Sequence, residues 1–278
     1  MNADDLPTLR EELEAHDLWA NKGLGQHFLL DLNITRRIAR TAGEIAGNAV
    51  IEVGPGPGGL TRALLEAGAD PLIVIEKDAR FLPLLEPLKQ WSGGRLQIVQ
   101  GDALDVDEAT LATRASVVSN LPYNVGTPLL VKWLKAGAWR SEMTLMFQKE
   151  VAQRIVAKPG DDAYGRLAVL AQARCTARLE FTVPARAFTP PPKIASAIVR
   201  LTDRSDPYPH LEALERVTAA AFGQRRKMLR AALRALTPEA EALLADAKIT
   251  PTARAEEIDQ SGFRALADAW RNRMGGKP

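Results

Sequence analysis

The first 205 residues alternate between two patterns of apolar and polar positions. Short runs rich in valine, isoleucine and leucine occur at Ala49–Val53, Leu72–Ile75, Leu96–Gln100, Ser116–Ser119 and Met143–Gln148. They are too short for helices and predict buried strands. Between them lie helix-length amphipathic stretches such as "GLTRALLEAG" and "TPLLVKWLKAG". Strand–helix–strand alternation predicts a parallel sheet with helices on both faces. Two further β-like runs, near Ala177–Val183 and Ile194–Leu201, flank a proline-rich loop and are expected to close the sheet as an antiparallel hairpin pair. After "TDRSDPYP" (202–209) the pattern turns helical throughout, in "HLEALERVTAAAFG", "RRKMLRAALRAL", "PEAEALLADAK" and "FRALADAWRNRM". The expectation is an α/β domain over residues 1–205, with an N-terminal flap and helix in 1–48, followed by a small all-helical domain over 206–278.

Composition narrows this picture. A chain of 278 residues that is 46% hydrophobic can bury a full core and has room for one large domain and a small one. No apolar run reaches the ~18 residues that span a bilayer, so no membrane association is expected. The mixed, acidic start "MNADDLPTLREELEAHDLW" is neither a secretory signal nor an Arg-rich transit peptide. Cys175 is the one cysteine, which excludes an intramolecular disulfide and a Cys-cluster zinc site. His27 is one of three histidines, too few for a histidine metal site, and no metal is expected. A cytoplasmic protein follows. The net charge of +2 is mild, but its distribution is not. No acid occurs from Val217 to Pro238, whereas Arg225, Arg226, Lys227, Arg230 and Arg234 fall together there. That patch is the candidate contact for a nucleic-acid backbone.

Chemistry concentrates at the predicted strand ends. "VIEVGPGPGGLTRALLEAG" reads as strand, glycine loop and helix, and the helix start offers unpaired N–H groups. Gly54, Gly56 and Gly59 satisfy G-x-G-x-x-G, and Glu76 closes the next strand where a ribose-binding acid is expected. On that evidence alone a dinucleotide enzyme and another adenosine-cofactor enzyme are nearly even. Asp102 at the end of the third strand shifts the balance. A glycine loop, a ribose acid and an adenine-reading carboxylate make a pocket for one adenosine with a side arm, which suits S-adenosylmethionine better than NAD. Glu52, just ahead of the loop, is placed to orient the loop or the methionine ammonium.

The fourth strand runs into Asn120-Leu121-Pro122-Tyr123, an amide, a rigid proline and an aromatic ring with no strong acid or base among them. Methyl transfer to an exocyclic amine needs acceptors that draw its N–H bonds out of the ring plane and meet the developing positive charge. The Asn120 side-chain carbonyl and the Leu121 backbone carbonyl, held by Pro122, suit that task. The Tyr123 ring offers a face for base stacking. A base reaches such a pocket only when flipped out or already single-stranded. In "PARAFTPPPKIASAIVRL", Phe188 stands on a proline-stiffened loop as a second aromatic wall, and Lys193 suits a phosphate. The segment "NKGLGQHFLLD" reads as a flap over the cofactor.

Together these segments resemble the ribosomal RNA adenine dimethyltransferases, in particular their bacterial small-subunit branch. The ordered set "GLGQHFL", "EVGPGPGGLT", "IEKD", "GDAL", "NLPYNVGTPLL", "FQKEVAQRI", "YGRLAVLAQ", "FTPPPKIASAIVRL" and "AFGQRRKMLRAAL" covers most of the chain. The resemblance implies a Rossmann-like class I methyltransferase sheet with a C-terminal helical, RNA-binding domain. It also implies a monomer that transfers four methyls from S-adenosylmethionine to two adjacent adenosines near the 3′ end of 16S rRNA in the small ribosomal subunit, with a role in subunit biogenesis. Carried over by motif, the cofactor contacts are His27 and Leu29 in the flap, Gly54 and Gly56 in the loop, and Glu52 ahead of it. Glu76 with Lys77, Asp102 with Ala103, and Asn120 complete that set. Asn120, Leu121, Pro122 and Tyr123 present the target base, with Phe188 as a further wall. The family often has asparagine at the position of His27 and threonine at that of Met228. Three competing readings are a large-subunit rRNA methyltransferase with the same pocket, a non-catalytic RNA-binding assembly factor, and a dehydrogenase. The last lacks a second nucleotide half and a hydride-transfer acid/base pair.

Overall fold

The structure, a computed structural model, describes residues 6–19 and 27–275. The glycines of the expected flap, Gly23 and Gly25, lie outside the described residues. In chain order the strands are β1 (Phe28–Leu29), β2 (Val50–Val53), β3 (Leu72–Glu76), β4 (Leu96–Gln100), β5 (Ala115–Asn120), β6 (Arg140–Gln148), β7 (Cys175–Val183), β8 (Phe188–Thr189) and β9 (Ser196–Asp203). Among the described residues a seven-stranded sheet has the order β4-β3-β2-β5-β6-β9-β7, and β1 pairs with β8 apart from it.

Strands β4, β3, β2, β5 and β6 run parallel, and β9 returns antiparallel to β6. Every residue of β2 and β3 is buried, which explains why both are apolar apart from Glu52 and Glu76: helices cover both faces of a parallel sheet. Those helices include Gly59–Glu66 after β2, Leu82–Trp91 before β4, and Gly126–Lys135 between β5 and β6. Residues of the first two, including Leu60, Leu64 and Leu85, pack in one core with Val118 of β5 and Met146 of β6. The chain winds outward from β2 to β4, then crosses back to lay β5 against the other side of β2. That reversal creates the crevice at the carboxyl ends of β2 and β5 where open α/β sheets bind ligands.

The β2–β5 ladder is short, pairing Val50 with Ser116 and Ile51 with Val117. Beyond it the buried Ser119 hydroxyl donates to the Val53 carbonyl at 2.6 Å, so a side chain ties the two strands just below the crevice. The N-terminal helix Leu9–Ala15 starts with a reciprocal cap between Thr8 and Glu11. It buries Leu13 against Phe28, Phe81 and Leu84. Arg62, buried on the helix Gly59–Glu66, donates to the Pro7 carbonyl at 2.9 Å and fixes the start of that segment.

The chain divides into two compact units, residues 1–152 with 178–202, and residues 153–177 with 203–278. The expected boundary near residue 205 is close to the last of the three crossings, at Thr202/Asp203, whereas residues 153–177 group with the C-terminal unit. Helix Arg166–Arg174 buries Leu167, Ala168, Val169, Leu170, Ala171 and Ala173, and its apolar faces belong to the helical unit. Tyr164 donates to the Ile258 carbonyl at 2.9 Å, Gln260 donates to the Val169 carbonyl at 3.0 Å, and Tyr164 meets Phe222 edge-on.

The stretch "RRKMLRAALRAL" departs from the single helix expected. Residues 224–227 form a turn and bend, followed by a short helix Leu229–Ala232 and a 3-10 turn Leu233–Ala235. The amides of Leu229 and Arg230 bond to the carbonyls of Ala253 and Pro251, so a neighbouring segment supplies acceptors at the helix start. Met228 is the N-cap there, with φ −62° and ψ 149°, and has no side-chain cap; it is 39% exposed. The Ala231 and Ala232 amides bond to the Met228 carbonyl, so every donor of the first turn is occupied and a threonine hydroxyl at position 228 finds no free helix N–H. Met228→Thr is therefore expected to leave the unfolding free energy within about 0.5 kcal/mol of the wild-type value, read as an unchanged urea midpoint. A clearly raised midpoint contradicts this reading of the helix start.

Candidate active site

Two adjoining cavities occupy the crevice. The first, about 100 Å³, is lined by His27, Phe28, Leu29, Glu52, the Gly54–Gly59 loop, Glu76 and the run Asn120–Tyr123. The second, about 540 Å³, is lined by Gly54, Glu76, Lys77, Gly101, Asp102, Ala103, Pro122 and Asn124 among others. Gly54, Glu76 and Pro122 border both.

The loop takes this shape because of its glycines. Gly54 and Gly56 have φ of +67° and +53°, which L side chains rarely adopt. A Cβ on Gly54 would stand 3.5 Å from the Pro122 ring, and one on Gly56 would stand 3.5 Å from Phe28. Both would fill the cradle. Gly59 begins the following helix, where a Cβ would lie 2.8 Å from the Leu29 carbonyl oxygen.

Three carboxylates surround this loop in different states. Glu52 is 1% exposed and accepts a 2.7 Å hydrogen bond from the Thr61 hydroxyl, which ties β2 to the helix after the loop. Burial pushes its pKa up to about 8, against the lowering by the Thr61 bond. Glu76 is 6% exposed, and its two oxygens accept the amides of Gly56 at 3.2 Å and Asp78 at 2.8 Å. Burial raises its pKa and the backbone donors oppose that shift. Asp102 is more open and carries a Lys77 ammonium at 2.7 Å on one oxygen and the Leu104 amide at 3.0 Å on the other. The lysine bond, then the amide, lowers its pKa.

The state of Glu52 has a measurable consequence. The folded protein retains its proton up to about pH 8, whereas the unfolded chain releases it near 4.5. A raised folded-state pKa gives stability that is complete below the unfolded value and is lost as pH rises through the folded one. Across that window the loss is a few kcal/mol at most. Glu52→Gln removes this titration, so its unfolding free energy is expected to gain on the wild type steadily from pH 5 to pH 8. Parallel profiles in urea titrations would show that Glu52 ionises normally.

On the acceptor side, Asn120 is the last residue of β5, paired with Met146 of β6. Among the described residues nothing bonds to its side-chain amide, which faces the first cavity. Pro122 starts a tight turn in which its carbonyl accepts the amides of Val125 and Gly126, both at 3.1 Å. The Leu121 carbonyl is not used by that turn. Tyr123 is half-buried and its hydroxyl meets that of Ser196 at 2.7 Å. Burial raises its pKa. The His27 ring lies 5.6 Å from that of Tyr123, tilted by 34°, and its Nδ1 is 2.8 Å from the Pro190 carbonyl.

The structure thus gathers His27, Leu29, Glu52, Gly54, Gly56, Glu76, Asn120, Leu121, Pro122 and Tyr123 around one cavity, with Lys77, Asp102 and Ala103 around the adjoining one. Phe188 is a correction. It is 3% exposed, pairs with Leu29 across β1–β8, sits in the main core and lines neither cavity. The second ring near Tyr123 is His27. Lys193 is exposed on the loop before β9.

In the helical unit Arg226, Lys227, Arg230 and Arg234 are exposed and form no ion pair among the described residues. Arg225 differs, since its guanidinium donates to Glu256 at 2.9 Å.

Sequence reasoning missed the supports. Lys132, on the helix after the acceptor turn, donates to the carbonyls of Ala103 and Val106 and pairs with the buried Glu108 at 2.9 Å. Glu108 also accepts the Trp133 indole at 2.7 Å. This network holds the loop that carries Asp102. A lysine on an amphipathic helix gives no sign of such a partner, whereas the cavity residues Phe28 in "GLGQHFL", Asp78 in "IEKD" and Asn124 in "NLPYNVGTPLL" lay within the motifs. Among the described residues no cluster of His, Cys, Asp and Glu could hold a metal, and no helix is long and apolar enough to cross a membrane.

Comparison with known proteins accords with this geometry. The family model described as Ribosomal RNA adenine dimethylase matches residues 18–269. Ribosomal RNA small subunit methyltransferase A of Phenylobacterium zucineum is 62% identical over 275 residues, 97% of this chain and 95% of that protein. The protein of the same name from Paracoccus denitrificans is 58% identical over 270 residues, 95% of this chain and 96% of that one. Among solved structures, a dimethyladenosine transferase from Plasmodium falciparum is similar with a TM-score of 0.75 at 25% identity, over 90% of this chain and 98% of that one. The 23S rRNA methyltransferase ErmE is similar with a TM-score of 0.66 at 27% identity, over 87% and 98%. The chain belongs to the ribosomal RNA adenine dimethylase family, on a Rossmann-like class I methyltransferase fold.

Proposed function

We propose that this enzyme uses S-adenosylmethionine to dimethylate two adjacent adenosines near the 3′ end of 16S rRNA in the small ribosomal subunit, as a cytoplasmic monomer acting in subunit biogenesis. The observation that carries the reading is that Asn120–Tyr123 and the glycine loop line one cavity, joined at Gly54, Glu76 and Pro122 to a second one. The residues fit the cofactor. The left-handed glycines keep the cradle free of side chains, and Glu76 retains acceptor capacity for two ribose hydroxyls beyond its two backbone donors. Asp102 and Ala103 then border the adenine, Gly54 and Gly56 the side arm, and Glu52 holds the loop through Thr61. When bound, S-adenosylmethionine supplies an electrophilic methyl group on sulfur.

The chain's own residues act on the acceptor. The Asn120 and Leu121 carbonyls accept the N–H bonds of the adenine N6 amine, which turns its lone pair out of conjugation. The same oxygens stabilise the positive charge that forms on nitrogen as the new bond is made. Tyr123 stacks on the base, a contact worth roughly 1–3 kcal/mol in single-strand systems. No strong base is needed, because the amine attacks as a neutral nucleophile. As the nitrogen–methyl bond forms, the methyl–sulfur bond breaks to leave a neutral thioether, and the now strongly acidic N–H proton passes to water.

Incubating the enzyme with methyl-labelled S-adenosylmethionine and unmethylated small subunits should label adjacent adenosines near the 3′ end of 16S rRNA. Label confined to large subunits, or absent from rRNA, would overturn the reading. The exposed cations Arg226, Lys227 and Arg230 are the proposed rRNA-backbone contacts. Their triple glutamine variant should bind small subunits more weakly, and the slope of log affinity against log salt should fall by about 1 for each phosphate left without its cation. An unchanged slope would place the RNA elsewhere.

A further inference from the structure

We propose that Ser196 is a positioning residue for the methyl acceptor: its hydroxyl fixes the Tyr123 ring, and through that ring the plane of the target base. The inference rests on the reading of Tyr123 as the stacking platform. Ser196 is the first residue of β9, is fully buried, and stands opposite Gln148 of β6. A serine there has little to offer the core. Its side-chain partner is the Tyr123 hydroxyl, at 2.7 Å across 73 residues of sequence. The bond holds firmly from the serine side, because separating the pair would strand the hydroxyl of the buried Ser196 away from water.

The Tyr123 ring is consequently held at both ends. Its backbone sits in the turn that closes on the Pro122 carbonyl, and its far end is bonded to a strand in the interior of the sheet. The segment that leads into β9 does the same for the neighbouring ring, since the Pro190 carbonyl lies 2.8 Å from His27 Nδ1. Two rings that border the cavity from separate parts of the chain are thus tethered to one stretch, Pro190–Ser196. That arrangement assigns the stretch a purpose beyond loop closure: it is the plate against which the rings are aligned.

Stacking on a tyrosine face is tolerant of base identity. Its value here is distance and tilt. The base must lie where the N6 amine meets the Asn120 and Leu121 carbonyls, and small misplacement of a reacting group is costly in rate. The hydrogen bond also directs the Tyr123 hydroxyl toward Ser196, so the phenol is occupied as a tether and is not offered to the amine as an acid or base.

Single-turnover and steady-state methyl transfer to unmethylated small subunits, with thermal denaturation in parallel, tests this. Ser196→Ala and Tyr123→Phe remove the same bond from opposite sides. Each is expected to lower kcat about tenfold, the worth of one neutral hydrogen bond, with KM for S-adenosylmethionine unchanged. The double variant is expected to be no slower than either single one. A wild-type kcat in Ser196→Ala, with or without a lowered melting temperature, overturns the positioning role. So does a multiplicative loss in the double variant. A loss in Tyr123→Phe that equals the loss in Asn120→Ala, while Ser196→Ala stays active, overturns it in favour of a chemical role for the phenol. Should the wild-type enzyme itself leave rRNA unlabelled, the proposed function fails and this inference fails with it.

Discussion

Asn120→Ala is expected to lower kcat by about 10²–10³-fold, the cost of removing one preorganised dipole aimed at developing charge. The argument starts from placement. Asn120 ends a buried parallel strand, its backbone pairs with Met146, and its side-chain amide has no protein partner among the described residues. Strand geometry thus holds a carbonyl dipole in the cavity at no cost at the moment of reaction. The residue is half-buried and outside the main core, so truncation should leave the unfolding free energy near the wild-type value. KM for the cofactor should change less than kcat, because an acceptor of the N6 hydrogens matters most as charge forms on nitrogen. The measurement is single-turnover methyl transfer with cofactor affinity followed separately. A variant with wild-type kcat would remove Asn120 from the chemistry, and one that lost only cofactor affinity would make it a binding residue.

Much of this was legible before the fold was known, and the reasons are physical. Strands β2 and β3 are largely apolar runs because both faces of the sheet are covered there, and such runs mark themselves. The glycine loop is equally visible, since the chain must take left-handed turns at Gly54 and Gly56 and few residue types do so. Acids at strand ends follow from topology, which sends every parallel strand toward the same edge.

Phe188 shows where that reasoning stops. A phenylalanine beside three prolines reads as an exposed loop aromatic, yet the two-residue ladder β1–β8 turns it into the core. A pairing that short leaves no periodic trace, and its partner Leu29 is far away in sequence. The same holds for the broken helix after Gln224, whose interruption depends on carbonyls of Pro251 and Ala253. It holds again for residues 153–177, whose apolar faces are satisfied by elements much later in the chain. Ser196 is the sharpest case: one buried hydroxyl in an apolar strand has no sequence signature, and its meaning appears only with Tyr123 opposite it.

The second large effect is expected at Glu76, and it should appear in cofactor binding first. Its carboxylate borders both cavities, and its two oxygens hold the amides of Gly56 and Asp78. One side chain therefore fixes the glycine loop, fixes the turn after β3, and presents the acceptors for the ribose. Glu76→Ala takes the acceptor from the buried Gly56 amide, at roughly 1–3 kcal/mol, and from the part-buried Asp78 amide at less, and it opens the wall between the cavities. Cofactor affinity is expected to fall by at least about 10²-fold, since losing paired hydroxyl acceptors at a site built to bond them is discriminated strongly. Glu76→Gln separates the two roles. It keeps one acceptor oxygen for the backbone but places an amide donor where the other donor now points, so stability should recover partly and affinity should not. Calorimetric titration with S-adenosylmethionine alongside urea unfolding reads both quantities. If Glu76→Ala bound the cofactor within a few-fold of the wild type, the ribose would have to lie outside this junction, and the assignment of the two cavities to one adenosine with a side arm would fall.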